Sequence, residues 1–243
     1  MRRLSDSGNY ISSRIGKAIG DYNMIEDGDR ILVAVSGGKD SLSLLTLLNE
    51  RKKWAPVKYE LIAMHVETDH RCAGCVHTET LKKFFKDNKI AYKFKKIKVR
   101  GKDNSVSCFW CSWNRRKALF LAAKELGCRK IAFGHHKDDI IQTLLLNIFY
   151  QGEFAAMNPA QKLFRGKITI IRPLCYVEED VLKKFSAESG FPSQLCRCPN
   201  SDLSKRRMMK NFINKAEKNS KNVKTNIFRS ISRVNKDYID IRA

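Results

Sequence analysis

Short apolar runs along the chain alternate with longer segments in which apolar residues recur at helical spacing. The helical pattern predicts helices over 8–25, 42–49, 78–89, 115–126, 139–150 and 178–189. The short runs predict strands over 30–35, 59–66, 92–99, 130–133 and 168–172, of which 92–99 alternates polar and apolar residues like an edge strand. This alternation of strand and helix predicts an α/β fold, a parallel sheet with helices on both faces and with ligands at the carboxyl ends of the strands.

Three parts of the chain are predicted from these elements. An N-terminal helix lies within residues 1–28, the α/β domain occupies 29–200, and a basic helical extension occupies 201–243. The composition changes only near the last boundary, since residues 203–243 contain twelve lysines and arginines but three acidic residues.

The net charge indicates what kind of partner the protein has. The chain has 47 lysines and arginines against 25 acidic residues, a formal charge of +22. Such an excess favours a polyanion, above all a nucleic acid. An anionic membrane surface is the main alternative, but no strongly apolar helical face accompanies the charge. The N-terminus has no apolar secretion signal, so we expect a cytoplasmic protein without a membrane partner.

A polar, glycine-containing segment directly follows the first predicted strand. It consists of Ser36, Gly37, Gly38, Lys39, Asp40 and Ser41. Backbone N–H groups at the start of a helix, the helix dipole, a lysine and two hydroxyls together form a phosphate-binding loop. The spacing matches neither the Walker loop nor the dinucleotide fingerprint.

A second polar segment, GHHKDDIIQT at 134–143, follows the strand predicted at 130–133. Asp138 and Asp139 could hold Mg²⁺ on a triphosphate. The alternative is a helix N-terminus enriched in aspartate because of the helix dipole. His135 and His136 have either a direct function or a packing and capping role.

Most of the eight cysteines occur in pairs. Cys108 and Cys111 are three residues apart, so on a helix both sulfurs can face one way. Cys196 and Cys198 form a second pair near two prolines. Such pairs fit zinc, redox or iron–sulfur chemistry, and three cysteines with an open position suit a [4Fe–4S] cluster. The alternative is that the thiols are buried small hydrophobic residues.

The string SGGKDS resembles the signature of the ATP pyrophosphatase (PP-loop) enzymes, which have an adenine nucleotide alpha hydrolase-like fold. Further segments resemble the tRNA-cytidine(32) 2-sulfurtransferase family: residues 15–41, the CxxC pair followed by two arginines, residues 125–152, IRPL at 171–174 and the late cysteine pair. Together these segments cover most of residues 11–205.

The resemblance implies a set of site residues. ATP would be bound by residues 36–41 together with Gly134, His135 and Asp138, with Mg²⁺ as its partner. Ser41, Arg115 and Asp139 would be catalytic. The cluster ligands would be Cys108, Cys111 and Cys198, with Cys196 as the alternative third ligand because this chain has CxC where the family has CxxC.

The resemblance also implies a reaction and its partners. The O2 of a tRNA cytidine, most closely cytidine 32, would be adenylated by ATP, and sulfur from the open iron of a [4Fe–4S] cluster would displace AMP. The partners would be the anticodon stem-loop of tRNA and a cysteine desulfurase or other sulfide donor. A homodimer is also possible. Three alternatives remain: a tRNA 2-thiouridine synthase, a ligase of lysidine-synthase type, and a non-catalytic tRNA-binding protein.

One more cysteine pair departs from that family. Cys72 and Cys75 are flanked by His70 and His77, after the second predicted strand. The four residues could bind zinc, one thiol could relay sulfur as a persulfide, or the segment could be a loop with incidental thiols.

Overall fold

The computed structural model describes residues 4–69, 78–100, 107–192, 205–235 and 237. They form two compact units. The first unit comprises the described residues of 1–136 and 159–200, and the second those of 137–158 and 201–243. The domain boundaries predicted from the sequence stay a prediction.

The first unit is built on a six-stranded sheet. In chain order its strands are β1 (Asp29–Ala34), β2 (Tyr59–Thr68), β3 (Ala91–Ile97), β4 (Lys130–Ala132), β5 (Ala160–Leu163) and β6 (Ile168–Ile171). Their order across the sheet is β3-β2-β1-β4-β6-β5. All neighbours pair in parallel except β5, which pairs antiparallel with β6. The α/β prediction is therefore confirmed, as is the edge position of β3.

Helices cover both faces of this sheet. The helices of the first unit are α1 (Asp6–Asp21), α2 (Lys39–Arg51), α3 (Thr78–Asp87), α4 (Cys108–Glu125) and α6 (Glu179–Ser189). Even-numbered residues of β2 share a buried cluster with Ala118 and Ala122 of α4. On the opposite face, Tyr59 of the same strand donates its hydroxyl to the Leu48 carbonyl of α2 at 2.8 Å. Alternation along the strand explains the two-sided packing.

The second unit is helical. It contains α5 (Lys137–Gln151), α7 (Lys205–Asn219) and α8 (Val223–Ser230), each of which contacts the other two. Phe149 of α5 packs against Phe212 of α7 with ring centroids 6.2 Å apart. Within the described part of the chain, no helix is long and apolar enough to cross a membrane.

Two features of the first unit differ from the sequence-based predictions. The helix predicted over 115–126 begins two turns earlier, at Cys108, because the Ser107 hydroxyl caps it by accepting the Trp110 N–H. Strand β5 was missed, and with it the antiparallel edge of the sheet. Its four residues, AQKL, are too few to show an alternating pattern.

Candidate active site

The glycine loop (residues 36–41) connects β1 to α2 at the carboxyl edge of the sheet. Gly37 has a φ of 87°, a conformation that residues with a Cβ rarely adopt. Gly38 is the N-cap residue of α2, and Lys39 is the first residue of the helix. The loop therefore places the positive end of the α2 dipole at this edge, where it favours an anion.

Two serine hydroxyls fix the shape of the glycine loop from within. Ser41 Oγ donates to the Gly38 carbonyl at 2.9 Å and accepts the Ser36 backbone N–H at 3.2 Å. Ser36 Oγ lies 3.2 Å from Ser41 Oγ and accepts the Gly38 N–H, also at 3.2 Å. Ser41, which the resemblance marks as catalytic, is thus a buried residue that holds the loop closed.

Lys39 supplies a cation to the loop, and two carboxylates restrain it. Its Nζ lies 3.0 Å from Asp40 and 3.5 Å from Glu179 of α6. These contacts orient the ammonium group before any ligand arrives. A bound phosphate would share the lysine with both acids.

Gly134 is required by close packing rather than by its backbone conformation. A Cβ at this position would lie 3.0 Å from the Asp40 carbonyl carbon and 3.0 Å from the Ser41 nitrogen. The turn after β4 therefore contacts the backbone at the start of α2 directly. Any side chain there would push against the backbone of Asp40 and Ser41, so this glycine is needed for the shape of the glycine loop.

His135 lies in the same turn and is held by its neighbours. Its Nδ1 accepts a hydrogen bond from Arg172 Nε at 3.3 Å, and its ring stacks on Phe133. Arg172 is buried, and burial, followed by repulsion from Arg116, lowers its pKa to about 10. His135 is thus bound to a buried arginine beside the carboxyl edge of β4.

His65 of β2 is a site residue that sequence reasoning missed. Its Nδ1 lies 2.7 Å from the carbonyl oxygen of Val35, the residue immediately before the glycine loop. Burial lowers the pKa of His65, and the Arg115 charge lowers it further. The neutral ring donates its Nδ1–H to Val35. The only sequence signal was a single histidine within the apolar run 61–66.

Arg115 of α4 lies near this histidine, as its effect on the pKa of His65 shows. Its Nε is buried and has no hydrogen-bond partner among the described residues. Helix α4 leads into β4, which runs parallel to β1, so the N-terminal half of α4 lies at the carboxyl edge of the sheet, as the glycine loop does.

Cys108 and Cys111 lie on the first turn of α4. The Cys111 N–H donates to the Ser107 carbonyl at 3.0 Å, which places the two cysteines at helical i and i+3 positions. Two thiolates at this spacing fit two ligands of an iron–sulfur cluster.

The remaining predicted ligands lie outside the described residues. They are His70, Cys72, Cys75, His77, Cys196 and Cys198. Within the described ranges, no three histidine, cysteine or acidic side chains are grouped so that they could hold a metal ion. The three-cysteine site therefore stays a prediction.

In the second unit, both aspartates on the first turn of α5 form ion pairs. Asp138 Oδ1 lies 3.0 Å from Lys224 Nζ of α8. Asp139 Oδ1 accepts a hydrogen bond from Arg206 of α7 at 3.1 Å, and the same guanidinium donates to Thr143 at 3.3 Å. Arg206 and Lys224 were not predicted, because nothing in a basic segment marks the individual cations that pair with acids.

The Lys224 pair is buried, whereas the Arg206 pair is partly exposed. The side chains of Lys224 and Asp138 are 8% and 7% exposed, against 42% and 20% for Arg206 and Asp139. Lys224 Nζ also lies 3.0 Å from Glu217. Burial alone would lower the pKa of Lys224, but Glu217 and Asp138 together raise it above its ordinary value. The ammonium is therefore charged.

These features match known proteins. Residues 9–217 match the PP-loop domain family, and the protein is thus a PP-loop protein. More narrowly, the chain belongs to the family of the tRNA-cytidine(32) 2-sulfurtransferases.

Two relatives illustrate the match. The tRNA-cytidine(32) 2-sulfurtransferase of Geobacter sulfurreducens is 37% identical over 238 residues, which cover 94% of this chain and 91% of the relative. That of Syntrophotalea carbinolica is 43% identical over 207 residues, 82% of this chain and 79% of the relative. The family resemblance seen in the sequence is confirmed.

A solved structure confirms the fold. The U34-tRNA thiolase NcsA from Methanococcus maripaludis, solved with its [4Fe-4S] cluster, aligns with a TM-score of 0.78 at 24% identity. The alignment covers 96% of this chain and 80% of that one.

Proposed function

We propose that this protein is an ATP-dependent tRNA sulfurtransferase that replaces the 2-oxygen of cytidine 32 with sulfur. The observation that supports this most directly is a family match over nearly the whole chain combined with a closed, glycine-dependent phosphate loop at the sheet edge. We place the reaction in the cytoplasm.

The first step is adenylation of the base. The cytidine O2 attacks the α-phosphorus of ATP, a new C–O–P bond forms, and pyrophosphate leaves. The glycine loop, Lys39 and the N-terminus of α2 bind the departing phosphates, because they are positive groups fixed in place before the reaction. Gly134 is needed because it lets the turn after β4 approach the loop.

The second step is displacement of AMP by sulfur at C2. Arg115 is the candidate for stabilising the charge that develops on the base, since its partly buried guanidinium has an Nε with no partner among the described residues. His65 is a positioning residue, because it contacts the loop through Val35 and not the reacting atoms.

The sulfur source in this proposal is a cluster. A [4Fe–4S] cluster held by three thiolates would leave one iron open to bind a sulfide, and that sulfide would supply the sulfur atom. Cys108 and Cys111 would hold the cluster at the positive end of α4, with Cys198 or Cys196 as the third ligand. A cysteine desulfurase or another sulfide donor would restore the sulfur.

The tRNA would be held through its phosphates by the excess of lysine and arginine, so its affinity should fall steeply with salt. An unpaired base of the anticodon loop costs less to extrude than a paired one. A role for Asp138 and Asp139 in binding Mg²⁺ is a separate part of the proposal. It requires that the metal compete with Lys224 and Arg206 for the carboxylates.

The decisive experiment uses two tRNA substrates. Anaerobically reconstituted protein is incubated with ATP, sulfide and a tRNA that has either cytidine or uridine at position 32, and the nucleosides are analysed by mass spectrometry. We expect 2-thiocytidine only from the first tRNA. Product from a uridine would indicate a thiouridine synthase, and an amine adduct formed in a parallel reaction supplied with lysine would indicate a ligase of lysidine-synthase type.

Cysteine variants separate the two steps. Cys108→Ser and Cys111→Ser should abolish thiolation while leaving tRNA-dependent ATP–pyrophosphate exchange. Cys128→Ala is the matched control, because this thiol is buried in the apolar cluster under α4. If Cys128→Ala loses thiolation as fully as Cys111→Ser, the assignment of Cys111 as a ligand fails.

A further inference from the structure

The N-terminal half of α4 presents three large aromatic side chains to solvent. Phe109, Trp110 and Trp113 are 79%, 48% and 45% exposed; we call them the aromatic patch. The residues of α4 that pack into the sheet, such as Ala118 and Ala122, lie on the other side of the helix. The patch therefore contributes nothing to the core of the first unit.

The two tryptophans of the patch lie against each other as flat, nearly parallel plates. Their ring centroids are 5.6 Å apart and their planes differ by 13°. Lys117, one turn further along the helix, places its Nζ 5.3 Å from the centre of the Trp113 ring. Parallel aromatic rings beside a cation form the kind of surface on which nucleobases stack and to which a phosphate is drawn.

The charge around the patch selects the type of occupant. Helix α4 contains four basic residues, Arg115, Arg116, Lys117 and Lys124, and one acidic residue, Glu125 at its end. A second copy of this strongly basic chain would bring like charge to the same face. A single-stranded nucleic acid supplies planar bases that can stack on the tryptophans. Its phosphates supply the negative charge that this face lacks.

We propose that the aromatic patch stacks unpaired bases of the RNA substrate. This inference rests on the proposed function for the identity of that RNA, an anticodon loop of tRNA. The patch begins on the helical turn that contains Cys108 and Cys111, at the sheet edge of the glycine loop. By helical spacing, Trp110 and Trp113 lie on the side of α4 that faces away from Cys111 and Arg115, so bases stacked there would be held on the outer face of the helix, across from the candidate ligands, with little dependence on their sequence.

Intrinsic fluorescence tests direct stacking. The chain has three tryptophans, so Trp54→Phe leaves Trp110 and Trp113 as the only ones. An anticodon stem-loop RNA should then quench the emission by about half or more, because a stacked base quenches an indole, whereas a fully paired duplex of equal charge should quench it little. Unchanged emission at saturating stem-loop RNA would overturn the proposal.

Substitution tests the contribution of the patch to affinity. Trp110→Ala with Trp113→Ala should weaken stem-loop binding about tenfold or more, given the usual contribution of base–aromatic stacking. Trp110→Phe with Trp113→Phe should stay within about threefold of the unmodified protein, since a phenyl ring also stacks. The salt dependence of binding should be the same in both, because no phosphate contact is removed.

Trp54→Ala is the matched control. Trp54 is also an exposed tryptophan beside a cation, since Arg51 lies 4.4 Å from its ring centre, but it is not in α4. Its loss should leave RNA affinity unchanged. If the alanine pair in α4 binds RNA within twofold of the unmodified protein but loses binding to a sulfur-donor protein, the patch is a protein-docking surface and the proposal is wrong.

The binding assays use neither ATP nor a cluster, so their outcome is separable from that of the thiolation assay. Quenching and weakened binding without any thiolation would contradict the proposed function and leave the stacking surface intact. Thiolation by the alanine pair at unchanged KM for tRNA would contradict the stacking surface and leave the function intact.

Discussion

Polar groups find their partners differently in the glycine loop of the first unit and in the aspartate pair of the second unit. In the loop, serine hydroxyls and backbone groups within six residues bond to one another. Asp138 and Asp139 instead depend on cations from α7 and α8, more than 60 residues away in sequence. A local motif therefore specifies the loop, whereas tertiary packing specifies the environment of the acids.

The comparison also separates two kinds of sensitivity. The loop should respond most to changes in shape, because glycine and hydroxyl geometry define it. The acids should respond most to changes in charge, above all at Asp138, because its partner Lys224 is buried with it. Four substitutions, taken from the largest expected effect to the smallest, test this distinction.

The largest effect should follow from Lys224→Met. It removes the cation that pairs with the buried carboxylate of Asp138 and the partly buried carboxylate of Glu217, and breaking a buried ion pair typically destabilises a protein by about 3–5 kcal/mol. Because folding raises the pKa of Lys224, its contribution is complete below the unfolded value, about 10.4, and is lost only at higher pH. Denaturant unfolding should therefore show the same decrease in the free energy of unfolding of Lys224→Met at pH 7 and at pH 9.

Arg206→Met is the control for the buried pair. The Arg206–Asp139 pair is partly exposed, so its loss should cost less than about 1 kcal/mol. Equal losses for the two variants would mean that burial does not distinguish the two aspartates, and the charge-sensitive half of the comparison would fail. If adding Asp138→Asn to Lys224→Met restores part of the lost stability, that result supports the charge-sensitive half of the comparison.

Gly134→Ala tests shape at the loop. The new Cβ would lie 3.0 Å from the backbone of Asp40 and Ser41, so the turn after β4 must move away from α2. Overpacking of this kind typically costs about 1–3 kcal/mol. We also expect ATP affinity to fall about tenfold, measured by calorimetry. Gly20→Ala in α1 is the control, since nothing lies within 4 Å of its Cβ, and it should be neutral or stabilising.

The sequence predicted the parts of the fold and site that depend on local pattern. The strand positions and the glycine loop follow from apolar runs and from one short motif. The pairing of Lys224 with Asp138 and the contact of His65 with Val35 could not be predicted, because they depend on which segments the fold brings together. The early start of α4 was missed for a third reason, since the aromatic patch breaks the amphipathic pattern there.

Ser41→Ala tests hydrogen bonding within the loop. It removes the donor to the Gly38 carbonyl and the acceptor of the Ser36 N–H, with a net effect of about 1 kcal/mol for each bond. Ser43→Ala is a matched control on the same helix, because the buried Ser43 hydroxyl has no hydrogen-bond partner among the described residues. We expect weaker ATP binding and a lower Tm only for Ser41→Ala; equal changes would show that the loop does not depend on these bonds.

The smallest effect at neutral pH should come from His65. Burial and the Arg115 charge lower its pKa in the folded protein, so the unfolded chain binds more protons as the pH falls below its ordinary value of about 6.5. The contribution of the neutral ring to stability is therefore complete above that pH and is lost as the pH falls through the folded pKa. The slope cannot exceed about 1.4 kcal/mol per pH unit for one proton. Below pH 6.5, the free energy of unfolding should therefore depend less on pH in His65→Gln than in the unmodified protein. Urea unfolding at several pH values in that range measures this. An unchanged slope would assign the acid sensitivity to other groups. Imidazolium keeps its Nδ1–H, so the hydrogen bond to Val35 should persist while the buried charge on the ring destabilises the fold.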